Sequence, residues 1–180
     1  MFMINQGKKL LFSIVVAFVM VFMCSCSTEN AYKINVSSSL DILSGKDIEL
    51  RIYDGENAVS ETLNTTIKRG QATFKGEIAT PALGQLYVEL ERIPYILPVV
   101  VEKGNIYAKL DSTTVLYGTE HNNQLHQFFL DKDDFLNTCS EIDSIPELKR
   151  ALRGFYADKL VEHEENDVLS KYIQLQLKNL

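Results

Sequence analysis

Sulfur is the first reactive element to weigh in this chain of 180 residues. Three cysteines are present, and two of them stand together in Met23-Cys24-Ser25-Cys26-Ser27. Ser25 puts a small side chain directly before Cys26, as in a bacterial lipobox, where the thiol receives a diacylglycerol and cleavage makes that cysteine the new N-terminus. Met23 and Cys24 stand where Leu and a small residue are usual. Cys24 is the rival acceptor, although bulky Met23 before it suits a small-residue protease pocket poorly. With Cys24 removed and Cys26 acylated, Cys139 is the remaining free thiol, and neither an internal disulfide nor a C-x-x-C redox pair can form. A lone exported cysteine ordinarily packs as a small hydrophobe. Acting as a reactive thiol, Cys139 would need exposure and a lowered pKa.

Nitrogen and oxygen groups offer less. His121 and His126 are five residues apart, about 500° around a helix, so they leave different faces and read as part of a solvated surface. Asp131, Asp133 and Asp134 lack the glycine and the acidic twelfth position of an EF-hand loop. His163-Glu164-Glu165 begins like a zinc-protease helix, but Asp167 stands where the second histidine belongs. No metal and no cofactor are therefore expected. Glu89 and Glu91, two apart on an expected strand, share a face as a glycosidase pair would, and a solvated sheet face explains them equally well. Tyr87, Tyr95, Tyr107 and Tyr117 form a candidate aromatic strip, with Tyr87 and Tyr107 as its candidate binding surface; core and rim packing is the plainer use. The sequence has no G-x-S-x-G elbow, P-loop or dinucleotide fingerprint, so no catalytic residue is assigned.

The leader decides the address. Lys8 and Lys9 precede Leu10–Met23, 14 residues in which Ser13 is the only polar one. As a helix this run spans about 21 Å, short of a hydrocarbon core of about 30 Å. A basic start, a short apolar run and a small-residue exit make the secretory pattern. Residues 1–25 are accordingly expected to be a lipoprotein signal peptide and residues 26–31 a tether. A plain secretory signal or an uncleaved N-terminal anchor is the competing reading. Acyl chains contribute about 0.8 kcal/mol per buried CH₂, so several of them anchor a protein stably. Glu29 is the only acid in the tether, and the periplasmic face of the outer membrane is the expected location. The net charge is −6, and loss of Lys8 and Lys9 with the leader takes it to −8. Such a chain is repelled by nucleic acid, leaving the membrane anchor and an envelope protein or small ligand as expected partners.

Periodicity divides the rest near residue 118. The region 32–118 shows short β-rich runs separated by turn residues: Ile48–Tyr53, Thr62–Ile67, Ala72–Phe74, Leu86–Leu90, Val99–Glu102, Asn105–Leu110 and Val115–Tyr117. Lys103-Gly104 reads as the turn of a hairpin. Pro94 and Pro98 bracket Tyr95-Ile96-Leu97 and demote that stretch to an edge or a loop. The region 119–180 turns helical, over about Asn122–Ser140, then from Ser144-Ile145-Pro146-Glu147, which has the form of a capping box, and again from near Asn166. The expected class is α+β: an antiparallel sandwich or partly open barrel of six to eight strands, followed by two or three helices.

One combination of residues carries a resemblance. Ile67-Lys68 with Gly70, Ala72, Phe74 and Gly76 leads to Pro81 and Leu86-Tyr87; Val101-Glu102-Lys103-Gly104-Asn105-Ile106 follows, then Gly118-Thr119 with Asn122, Leu125 and Phe128. Over roughly Lys33–Phe129 the chain resembles the uncharacterised β-rich domain that precedes the thioredoxin module of many lipid-anchored thiol–disulfide proteins in Gram-negative envelopes. Relatives continue past a helix like Val168–Leu180 into a module with C-x-x-C, so oxidoreductase activity is not carried over. Ser37-Ser38-Ser39 replaces their glycine-containing turn, and the family assigns no catalytic residues. The expectation is a lipid-anchored, non-catalytic binding or accessory module beside envelope thiol–disulfide systems. The alternatives are a thiol enzyme using Cys139 and a structural module that oligomerises through apolar Leu177 and Leu180.

Overall fold

Alternation of inward and outward residues gives Ala31–Ser37, Asp47–Tyr53 and Gln71–Glu77 one buried face each, as expected of strands. A computed structural model describes residues 30–55, 58–163 and 167–180. The signal peptide, Cys24, Cys26 and the tether through Glu29 lie outside the described residues, as do Glu164, Glu165 and Asn166. The strands are β1 (Ala31–Ser37), β2 (Asp47–Tyr53), β3 (Val59–Thr66), β4 (Gln71–Glu77), β5 (Ala82–Val88), β6 (Tyr95–Val101), β7 (Gly104–Lys109) and β8 (Val115–Tyr117). They form two four-stranded sheets, ordered β4-β1-β7-β8 and β3-β2-β5-β6. Every pairing is antiparallel except the parallel one of β1 with β7. The sheets stay separate, so of the two architectures left open the fold is sandwich-like.

Two expectations about the strands need correction. Lys103-Gly104 is no hairpin turn: β6 pairs with β5, whereas β7 pairs with β1 and β8. The turn instead carries the chain from one sheet to the other, with Gly104 at φ 120°, a conformation L side chains rarely adopt. Strand β5 ends at Val88, so Glu89 and Glu91 fall in an exposed connection and share no strand face. The proline argument holds, since β6 is an edge strand and carries Pro98 where no ladder donor is needed.

Inward residues Ile34, Val36, Ile48, Leu50, Leu86, Val99, Ile106 and Leu116 fill the space between the sheets. Fully burying such a side chain contributes about 1.5–3 kcal/mol. Three helices follow: α1 (Glu120–Thr138), α2 (Ile145–Val161) and α3 (Val168–Lys178). Pro146 lies in the first turn of α2 as expected, but Ser144 makes no side-chain cap hydrogen bond, so the capping-box half of the reading fails. Leu125 and Phe128 of α1, Tyr156 of α2, and Leu169, Tyr172 and Ile173 of α3 belong to the same buried cluster as the sheet residues. Leu177 and Leu180 also pack against that cluster, half-buried. Among the described residues no helix is long and apolar enough to cross a membrane.

Candidate functional site

Asn122 explains how the helices meet the sandwich. The edge strand β6 would present unpaired backbone groups, and fully buried Asn122 satisfies both at once: its Oδ1 accepts from Val100 N at 2.9 Å and its Nδ2 donates to Val100 O at 2.7 Å. Nδ2 also reaches Thr119 Oγ1 at 2.8 Å. The residue thus fastens the start of α1 to β6 and sets the position of its neighbour, His121.

His121 is held on both ring nitrogens. Nδ1 lies 2.7 Å from Glu102 Oε2, and Nε2 lies 3.0 Å from Asp167 Oδ1. Glu102, buried just past the end of β6, also accepts the His121 backbone N–H at 3.1 Å, placing a carboxylate at the positive end of α1. Asp167 caps α3 by accepting from Leu169 N. Burial opposes the imidazolium charge, yet the hydrogen bonds and attraction of Glu102 and Asp167 outweigh it and raise the pKa above its ordinary value. The reading of His121 as part of a solvated face is therefore overturned. With a carboxylate against each nitrogen, the ring is engaged on both sides and ties β6, α1 and α3 together.

Beside this clamp opens a cleft of about 970 Å³, bounded by the end of β2, the start of β5 and one face of α3. Tyr53, Pro81, Leu83, Val168 and Leu175 supply apolar wall, Lys171, Gln174 and Lys178 line the helical side, and Asp54 and Asp167 add two carboxylates. Positions 171, 174, 175 and 178 repeat at the helical period and so share a face. Among the described residues neither Lys171 nor Lys178 has an ion-pair partner. A cleft of this size is large enough to seat a small ligand, and its lining is divided between apolar and polar groups.

The tyrosines expected to form one strip are dispersed. Tyr87 lies on the outer side of the second sheet, with the Arg51 guanidinium 3.7 Å above its ring and Glu49 bridged to Arg51 at 2.6 Å. Tyr107 lies on the first sheet, stacked on Tyr117, so Tyr87 and Tyr107 do not make a common surface. Tyr95 turns its hydroxyl to Thr114 Oγ1 at 2.7 Å. Cys139 is buried at the end of α1, and Thr138 Oγ1, 4.0 Å away, is its polar side-chain neighbour among the described residues. Asp131 is taken by Lys159 at 2.7 Å and Gln127 at 2.7 Å, which commits it to holding α1 against α2. His126 Nδ1 is buried without a hydrogen-bond partner among the described residues. No group of three or more potential metal ligands occurs there either. No protein-family model matches the chain, and a search of curated proteins finds no match.

Sequence reasoning missed the Glu102–His121–Asp167 clamp because its members are 19 and 46 residues apart and come from different elements. One signal was present: Asp167 immediately precedes an apolar helical run, the place of an N-cap.

Proposed function

We propose that this chain is a lipid-anchored, non-catalytic binding module of the cell envelope, tethered through Cys26 on the periplasmic face of the outer membrane. Its cleft takes a small ligand or partner segment that carries a negatively charged end. The observation that carries this reading is the α3 stripe of Lys171, Gln174, Leu175 and Lys178 along one side of the cleft: of the carboxylates that also line it, Asp167 is engaged by His121, and neither lysine forms an ion pair among the described residues. Binding is favoured over catalysis because the histidine at the cleft has both ring nitrogens engaged by carboxylates, and because Cys139 is buried. The anchor rests on the short apolar leader and Ser25-Cys26. Service beside thiol–disulfide proteins of the envelope rests on the family resemblance.

Two measurements test the halves separately. In a thermal-shift series on the full chain, small carboxylic acids and acidic peptides should raise the unfolding midpoint while their amides do not. Lys171→Gln with Lys178→Gln should erase that difference; a panel in which no acid stabilises the protein removes the cleft reading. Mass spectrometry of protein from its native host should find a diacylated Cys26 at the N-terminus, and an intact Met1 or unmodified sulfur there refutes the anchor.

A further inference from the structure

The outer face of the first sheet carries a pattern that the cleft does not use. Strand register places Lys75, Lys33 and Asn105 in one row across β4, β1 and β7. The next row on the same face holds Thr73, Asn35, Tyr107 and Tyr117. Like charges directly opposite on a sheet are destabilising, and neither Lys33 nor Lys75 has an acidic partner among the described residues. Glu77 lies on the same face two residues along β4 and lines the same trough, but it forms no ion pair with either lysine, so in a chain of net charge −6 this row still offers two adjacent cations to an external anion.

Beside them stands an aromatic platform. The Tyr107 and Tyr117 rings stack with centroids 5.0 Å apart and planes 15° from parallel, and they remain 39% and 49% exposed. Gly118, at φ 111°, lets the backbone close behind Tyr107: a Cβ there would collide with the Asn105 carbonyl oxygen and the Tyr107 ring. The platform is thereby held in place before any ligand arrives. Shallow troughs of about 350 and 500 Å³ cover the two parts of this face. The two rows are two residues apart along the strand, about 7 Å, so one chain laid on the sheet touches both.

We propose that this face binds an acidic polysaccharide. Sugar rings lay their C–H faces against the Tyr107–Tyr117 pair, hydroxyls hydrogen-bond to the amides of Asn35 and Asn105, and carboxylates pair with Lys33 and Lys75. A protein partner fits less well, because interface centres are enriched in aromatic and other apolar residues and this face has little apolar surface beyond the two tyrosines and Val115. Nucleic acid fits less well, because two free lysines neutralise too few phosphates to overcome the net charge.

Affinity electrophoresis and calorimetry on the full chain in detergent, with polygalacturonate, alginate and hyaluronate as probes, test this. At least one of the three should bind, with neutral dextran at least tenfold weaker. Lys33→Gln with Lys75→Gln, and separately Tyr107→Ala with Tyr117→Ala, should each weaken binding at least tenfold. The Phe replacements at both tyrosines should retain it, as should Arg150→Gln with Arg153→Gln, which removes the same charge from exposed positions on α2. All these substitutions are on the surface, and an unchanged unfolding midpoint shows that the fold persists. Binding to none of the three polymers overturns the proposal. So does a Tyr107→Ala/Tyr117→Ala protein that binds like the parent, or equal binding to duplex DNA or to anionic phospholipid vesicles, since either outcome reduces the face to a plain cationic patch.

Discussion

At the scale of single residues, Asn122 is the side chain whose loss should be felt most. Asn122→Leu keeps the volume but strands the N–H and C=O of Val100 in a dry environment, each at a cost of about 1–3 kcal/mol. Urea titration should show a loss of about 3 kcal/mol, whereas replacement of exposed Asn137, near the far end of the same helix, should stay within about 0.5 kcal/mol. An equal effect at the two positions contradicts the account. Cys139 supports a second expectation, since a buried thiol is out of reach of reagents in solution. Iodoacetamide at neutral pH should leave the native protein unlabelled at Cys139 and modify it fully in denaturant; rapid native labelling would revive the thiol-enzyme alternative. Neither environment was legible in the sequence. Asn122 meets β6 across 22 positions, and a cysteine's exposure depends on the packing around the helix that bears it.

Elements were more legible than their partners. Period-two and helical patterns located β2, β8 and α1 to within a few residues, because each element expresses its own buried face in its own sequence. The switch of β7 to the other sheet was not visible, because a Gly-containing turn between two apolar strands suits a hairpin and a crossover alike. The His121 clamp joins three such elements, and its charge gives their docking a pH dependence. Glu102 and Asp167 are the titratable groups against the ring. The folded-state pKa of His121 is raised above an unfolded value of about 6.5. Below that value the ring is charged in both states and the ion pairs contribute in full; as pH rises through the folded pKa the native ring releases its proton and the contribution is lost. His121→Gln should therefore cost about 2 kcal/mol near pH 6, the scale of hydrogen bonds to charged groups, and progressively less above neutrality. Stability curves that stay parallel for parent and variant from about pH 6 to pH 9 would contradict the charged clamp.

The whole molecule depends on the helices remaining docked. Leu169 and Ile173 are fully buried, and they share one apolar cluster with Leu50, Leu86 and Leu125. Large-to-small replacement at a buried Leu or Ile costs about 2–5 kcal/mol, against a total stability of about 5–15 kcal/mol for a natural domain. Leu169→Ala with Ile173→Ala should therefore remove most of the stability of sheets and helices together. The division of the sequence near residue 118 marks a change of period, and the core continues across it. Far-UV and near-UV circular dichroism should follow one coincident transition in the parent protein and in each single variant, displaced to lower temperature in the variants. If the helical signal melted first while the environment of the sandwich tyrosines persisted, residues 119–180 would be a separate unit. The cleft, which needs β2, β5 and α3 at once, would then open well below the temperature at which the sheets unfold.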